Sequence, residues 1–189
     1  MPEKIVIRPA FCISLCLSLL FLPIHLIVAW CTAAAIHELG HIFAMRLMKI
    51  RILRMTIDFG GTKIVSGYMH PTAEWVCAIA GPCLGLMCLC FAKTAPLLAI
   101  CAFVQNAYNL LPFQNHDGER VLRIGLSMLL PHKAAEGVIK GICSGVALSL
   151  FALGIYLWRI QDLGFSVFLL FVFPLLKLGC QKYLANRRN

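Results

Sequence analysis

The chain has 189 residues, 60% of them hydrophobic and only 13% charged, with a mean hydropathy of +0.84. A water-soluble domain carries about 25% charged residues, so this composition sets aside a soluble fold and points to a lipid bilayer. The formal charge of +9 does not indicate nucleic acid: Lys and Arg lie between apolar runs, not in a stripe interleaved with aromatics, and there they report membrane topology.

At about 20 residues per span, the apolar pattern predicts six membrane segments, at 9–22, 23–48, 71–92, 96–111, 134–158 and 163–184. Pro9, Pro23, Pro71 and Pro96 open segments, as suits a first helical turn where the missing N–H is not needed. The first segment is short for a full span. Lys4 and Arg8 before it, with small residues at 32–35 after it, resemble a cleaved leader. The apolar pattern runs on without a break into His37, so no cleavage is expected there.

Residues 50–67 have a different texture. Met55-Thr56-Ile57-Asp58 and Thr62-Lys63-Ile64-Val65 alternate around Gly60-Gly61, which predicts two short strands joined at the glycines. With the N-terminus in the cytoplasm, this topology leaves only Lys93 and Arg159, of 17 Lys and Arg, on the far side; both termini are then expected to be cytoplasmic. The ten cysteines fall within or at the ends of apolar runs and form no C-x-x-C pair, so they read as small apolar residues packing between helices. The expected fold is an all-α polytopic membrane protein with about six transmembrane helices and a small β-hairpin or sheet at the cytoplasmic face between helices 2 and 3. It forms a single membrane-embedded domain, 1–189, with a core at 9–130 and two additional helices at 134–184.

The chemistry concentrates in the second segment, in His37-Glu38-Leu39-Gly40-His41. Residues four apart share a helix face, so two imidazoles converge while Glu38 sits beside them. A catalytic zinc needs that arrangement: two neutral nitrogen ligands and a carboxylate to take a proton from water. Three ionisable groups within five residues at bilayer depth are costly and usually functional. A third ligand is required. Asp117 and His116 lie just beyond the fourth segment on the same side, and Glu74 and His70 lie at the entrance of the third. Asp162 falls across the bilayer and is excluded.

The stretch 109–118, Asn-Leu-Leu-Pro-Phe-Gln-Asn-His-Asp-Gly, resembles the N-x-x-P-x-x-x-x-D-G motif of the site-2 protease family of intramembrane zinc metalloproteases. Phe59-Gly60-Gly61 and Ala80-Gly81-Pro82 resemble two further motifs of that family, and the likeness covers about residues 25–125. The strand segment is most like the stage IV sporulation protein FB branch, whose enzyme trims a membrane-associated pro-sigma factor. The family's C-terminal regulatory domain has no expected counterpart. Glu119 stands where the family usually has a second glycine, Asn115 where it has a proline, and Gly85 where it often has an asparagine. These departures remove no ligand and bear on loop shape and substrate fit.

The resemblance implies a zinc endopeptidase of the bacterial cell membrane, its active site opening to the cytoplasm, with one Zn²⁺ on His37, His41 and Asp117 and with Glu38 as the base. Asn109 would help polarise the scissile carbonyl or, equally, cap its helix before Pro112. Gly60 and Gly61 would offer a strand edge to an extended substrate or simply form a hairpin turn. Expected partners are a membrane-associated protein substrate, lipid and regulatory membrane proteins. Two other functions share these residues: a catalytically silent zinc protein that captures a partner helix, and a metal transporter. Glu38 has no task in the first. The second needs ionisable groups on both sides, and beyond the site only His25 and Asp162 lie along such a path.

Overall fold

A computed structural model describes residues 4–58, 61–113 and 116–160, with side chains to residue 156. Two compact units divide the chain, Met1–Leu110 and Leu111–Asn189.

In the first unit, a short strand β1 (Lys4–Ile7) leads into α1 (Pro9–Phe21) and α2 (Ile24–Leu47). Strands β2 (Ile52–Asp58) and β3 (Gly61–Ser66) follow, then α3 (Pro71–Leu86), continued by a 3₁₀ segment (Met87–Phe91), and α4 (Pro96–Leu110). Proline occupies the first turn of α1 and of α3, as expected. α2 ends in a tight reversal in which the Lys49 N–H bonds the Arg46 carbonyl at 3.0 Å and the Ile50 N–H bonds the Met45 carbonyl at 2.8 Å. Lys49 takes a left-handed φ of 56° there, the conformation that commonly closes a helix.

The predicted hairpin is present: β2 and β3 pair antiparallel from Asp58↔Gly61 to Ile52↔Ser66, with an irregularity between Ile52 and Arg54. It belongs to a three-stranded sheet. β1, absent from the sequence expectation, pairs parallel to β2 with Lys4 opposite Arg54 and Ile7 opposite Ile57. The Arg8 N–H bonds the Ile57 carbonyl at 2.9 Å, and the Arg8 guanidinium reaches Asp58 at 3.3 Å. β2 is therefore the central strand, and the outer edges belong to β1 and β3.

α2 packs against both α3 and α4, and small residues mark these contacts. Ala33, Ala78 and Ala102 are fully buried. Ala29, Ala33, Cys88, Cys101 and Ala102 form one cluster; Ala44, Met45, Ile52 and Cys77 form a second, under the hairpin. Large apolar side chains point outward instead, as with Phe43 at 67% and Ile100 at 61% exposure. Small residues inside and large ones outside suit helices whose surroundings are lipid, where close backbone approach holds the bundle together. The cysteines follow both patterns: Cys77, Cys88 and Cys101 are buried, whereas Cys12, Cys16, Cys31, Cys83 and Cys90 face outward, and the described cysteines are free thiols.

The second unit contains α5 (Asp117–Leu129) packed on α6 (His132–Ile160). α5 was not expected from the sequence. Its apolar residues recur on one face of an otherwise charged 13-residue segment, too short and polar to register as a span.

Among the described residues, three helical stretches are long and apolar enough to cross a membrane: Ile24–Leu47, Pro71–Phe91 and His132–Tyr156. They correspond to the second, third and fifth expected segments. At 1.5 Å per residue, the 13 residues of α1 and the 15 of α4 span about 20 and 23 Å, short of a hydrocarbon core of about 30 Å. The expected sixth segment lies outside the described residues.

Candidate metal centre

His37 and His41 sit on α2, about 15 and 9 Å before its C-terminal end, and are 3% and 7% exposed. Their Nε2 atoms lie 3.1 Å apart, with ring centroids at 4.8 Å and planes inclined by 77°. Hydrogen bonds fix what those two nitrogens are. The His41 Nδ1 is 2.7 Å from the carbonyl oxygen of Cys77 on α3. A carbonyl only accepts, so Nδ1 carries the hydrogen and Nε2 of the neutral ring is a bare lone pair. The His37 Nδ1 is 2.7 Å from the Asn106 Oδ1 on α4. The Asn106 amide is itself oriented, because its Nδ2 donates to the Ala102 carbonyl at 2.6 Å; its oxygen must face His37, and that ring too is an Nδ1–H tautomer.

Two unprotonated nitrogens thus face each other at 3.1 Å, and a shared cation would satisfy both lone pairs. Nitrogens held at about 2.0–2.1 Å by a tetrahedral zinc stand roughly 3.3–3.4 Å apart. The pair therefore fits a zinc ion, and histidines that donate their other N–H to an oxygen are the usual ligands of such an ion.

Close helix approach makes this geometry possible. A Cβ on Gly81 of α3 would overlap the His41 imidazole, and one on Gly85 would overlap the Asn106 amide. Gly40, between the two histidines, faces the backbone of Ala80 and Gly81. Pro82 lies inside α3 and is buried beside this contact.

Glu38 follows His37 on α2 and is half-buried. Asn109, half-buried on α4, brings its Nδ2 to 3.4 Å from the His37 Nε2. Gly61 is not at the histidine pair; it sits at the hairpin turn with φ 108°. Gly60 lies outside the described residues. In the second unit Asp117 is half-buried and begins α5. His116, the other candidate there, is the residue that caps α5, and its ring packs edge-on against Phe113 at 5.8 Å. His70 caps α3, accepting from the Thr72 N–H at 3.4 Å. Glu119 is 5% exposed and ion-paired with Arg123 one turn along α5, so its side chain is occupied within its own helix.

Asn106 and the Cys77 carbonyl did not stand out in the sequence. Asn106 carried a signal, a carboxamide inside an apolar run one turn before Asn109. The Cys77 carbonyl carried none, since every residue has one.

The fold is similar to that of "Site-2 Protease from Methanocaldococcus jannaschii". The likeness has a TM-score of 0.63 at 18% sequence identity and covers 92% of this chain and 88% of that one. No protein-family model and no curated protein matches the sequence.

Proposed function

We propose that the chain is a zinc-dependent intramembrane endopeptidase that hydrolyses a peptide bond in or near a membrane-associated substrate segment. One observation carries this reading: two buried imidazoles bring unprotonated nitrogens to 3.1 Å of each other, with both remaining ring nitrogens tied to oxygens. The fold likeness to a site-2 protease and the 109–118 motif support it. Asp117 is proposed as the third ligand; two imidazoles and a carboxylate are a donor set that zinc takes.

Bound zinc would supply a Lewis acid that polarises the scissile carbonyl and makes water more acidic. Glu38 takes the proton of the attacking water and hands it to the departing amine. The Asn109 amide donates to the carbonyl oxygen as negative charge develops on it. A substrate must be extended locally before water can reach its peptide bond, and the outer edge of β3 is the surface proposed to hold it, by strand addition. The proposed setting is a six-span chain in a bacterial cell membrane, both termini cytoplasmic and the site open to that side. Its substrate is a membrane-associated pro-protein of the pro-sigma-factor class, with access set by regulatory membrane proteins.

Co-expression with candidate membrane-bound pro-proteins tests this reading. Glu38→Gln should retain one zinc per chain and lose about 100-fold or more of the cleavage rate; full turnover in the purified variant would eliminate Glu38 as the base. Asp117→Ala should lower the metal content. Unchanged zinc in that variant, together with an empty site in His116→Ala, would reassign the third ligand.

A further inference from the structure

Asn106 has no part in the proposed chemistry, yet it is the most completely enclosed polar side chain described, at 0% exposure. A carboxamide buried among apolar helices is retained at a cost unless its hydrogen bonds are satisfied. Here both ends are satisfied, and each restricts the other. The Nδ2 is held by the Ala102 carbonyl at 2.6 Å, one turn back on the same helix. This leaves the Oδ1 able to do only one thing, accept from His37 Nδ1 at 2.7 Å.

The side chain has room because residue 85 is glycine. A Cβ at that position would stand 2.6 Å from the Asn106 Oδ1 and 2.8 Å from its Cγ, and would overlap its Nδ2. α3 thus supplies a socket and α4 the amide that fills it. Position 85 therefore faces the volume that the Asn106 amide fills.

We infer that Asn106 is a positioning residue for His37: seated in the Gly85 socket, it locks the ring in the Nδ1–H tautomer and aims Nε2 at the point shared with His41. It acts through His37 and touches neither substrate nor the reacting atoms. The role rests on the proposed metal site, and its test separates the two ideas.

The test uses the full-length chain in detergent micelles or nanodiscs, with zinc affinity measured by chelator competition. Asn106→Leu keeps the branched shape and removes the acceptor. It should bind zinc about 10- to 100-fold more weakly than the native chain, the range seen when a ligand's hydrogen-bond partner is lost. The exchanged pair Gly85→Asn with Asn106→Gly delivers the amide from α3 instead of α4, and should return affinity to within about threefold of native. Native-like affinity in a folded Asn106→Leu protein would overturn the role, as would an exchanged pair no better than Asn106→Leu.

Nitrogen-15 spectra of metal-free native protein give a reading that depends neither on a variant folding nor on zinc. His37 should show a protonated Nδ1 and a bare Nε2, and the opposite tautomer would overturn the assignment. A native chain that holds no zinc at all would instead defeat the metal site itself, and this role with it.

Discussion

Gly40 and Gly81 meet where α2 crosses α3, so closely that a Cβ on Gly40 would stand 2.8 Å from the Gly81 Cα and collide with the Ala80 carbonyl oxygen. The atoms in the way are backbone, so no rotamer change can relieve the overlap; the helices themselves must part. Cys77, one turn before Gly81, carries the carbonyl that holds His41. Gly40→Ala should therefore lower stability by about 1–3 kcal/mol and weaken zinc binding together with it. Unfolding in mixed micelles and zinc content measure the two effects, which should move in parallel.

Gly81→Ala makes a different prediction. The new methyl would overlap the His41 imidazole and not backbone, so the ring yields first. Zinc affinity should fall by about 10- to 100-fold, the equivalent of an overpacking strain of about 1–3 kcal/mol, while helix content by circular dichroism stays native. A Gly81→Ala protein that binds zinc normally would mean that His41 can adjust without leaving its ligand position.

Gly61 is constrained by conformation alone. Its φ is 108° and a Cβ there would meet nothing within 4 Å, so substitution introduces strain without a clash. Gly61→Ala should cost about 1–3 kcal/mol on chemical denaturation and leave zinc binding unchanged. Bulky residues at this turn therefore do not test strand addition; substitutions along the outer edge of β3 do.

Lys49 is the converse case. It holds a φ of 56° with a side chain that disfavours it, at the position after α2 where glycine is usual. Lys49→Gly should stabilise the chain by about 0.5–1 kcal/mol, since the relief of strain exceeds the extra freedom glycine gains on unfolding. Denaturation midpoints would check the sign.

Much of the site was legible because it is local. Two histidines four residues apart share one face of any α-helix, and a glutamate between them sits beside that face, so His37, Glu38 and His41 could be named from their spacing. The hairpin was equally local: alternating residues on both sides of a glycine pair predicted β2 and β3. Apolar length located α2, α3 and α6. β1 escaped because four residues make a strand only when a partner is present, and that partner is β2, some fifty residues away. α5 escaped because its pattern is amphipathic and brief, unlike the continuous apolar runs on either side.

Sequence by itself determined the facing histidine pair, the apolar helices and the hairpin, since each follows from backbone periodicity and side-chain polarity within a short stretch. Tertiary structure decided which nitrogen of each imidazole carries the hydrogen. That depends on an amide 69 residues from His37 and a carbonyl 36 residues from His41, brought in by helices that approach closely because Gly40, Gly81 and Gly85 have no side chains to keep them apart. A hydrogen bond needs its two atoms within about 3 Å, and only packing puts distant residues there.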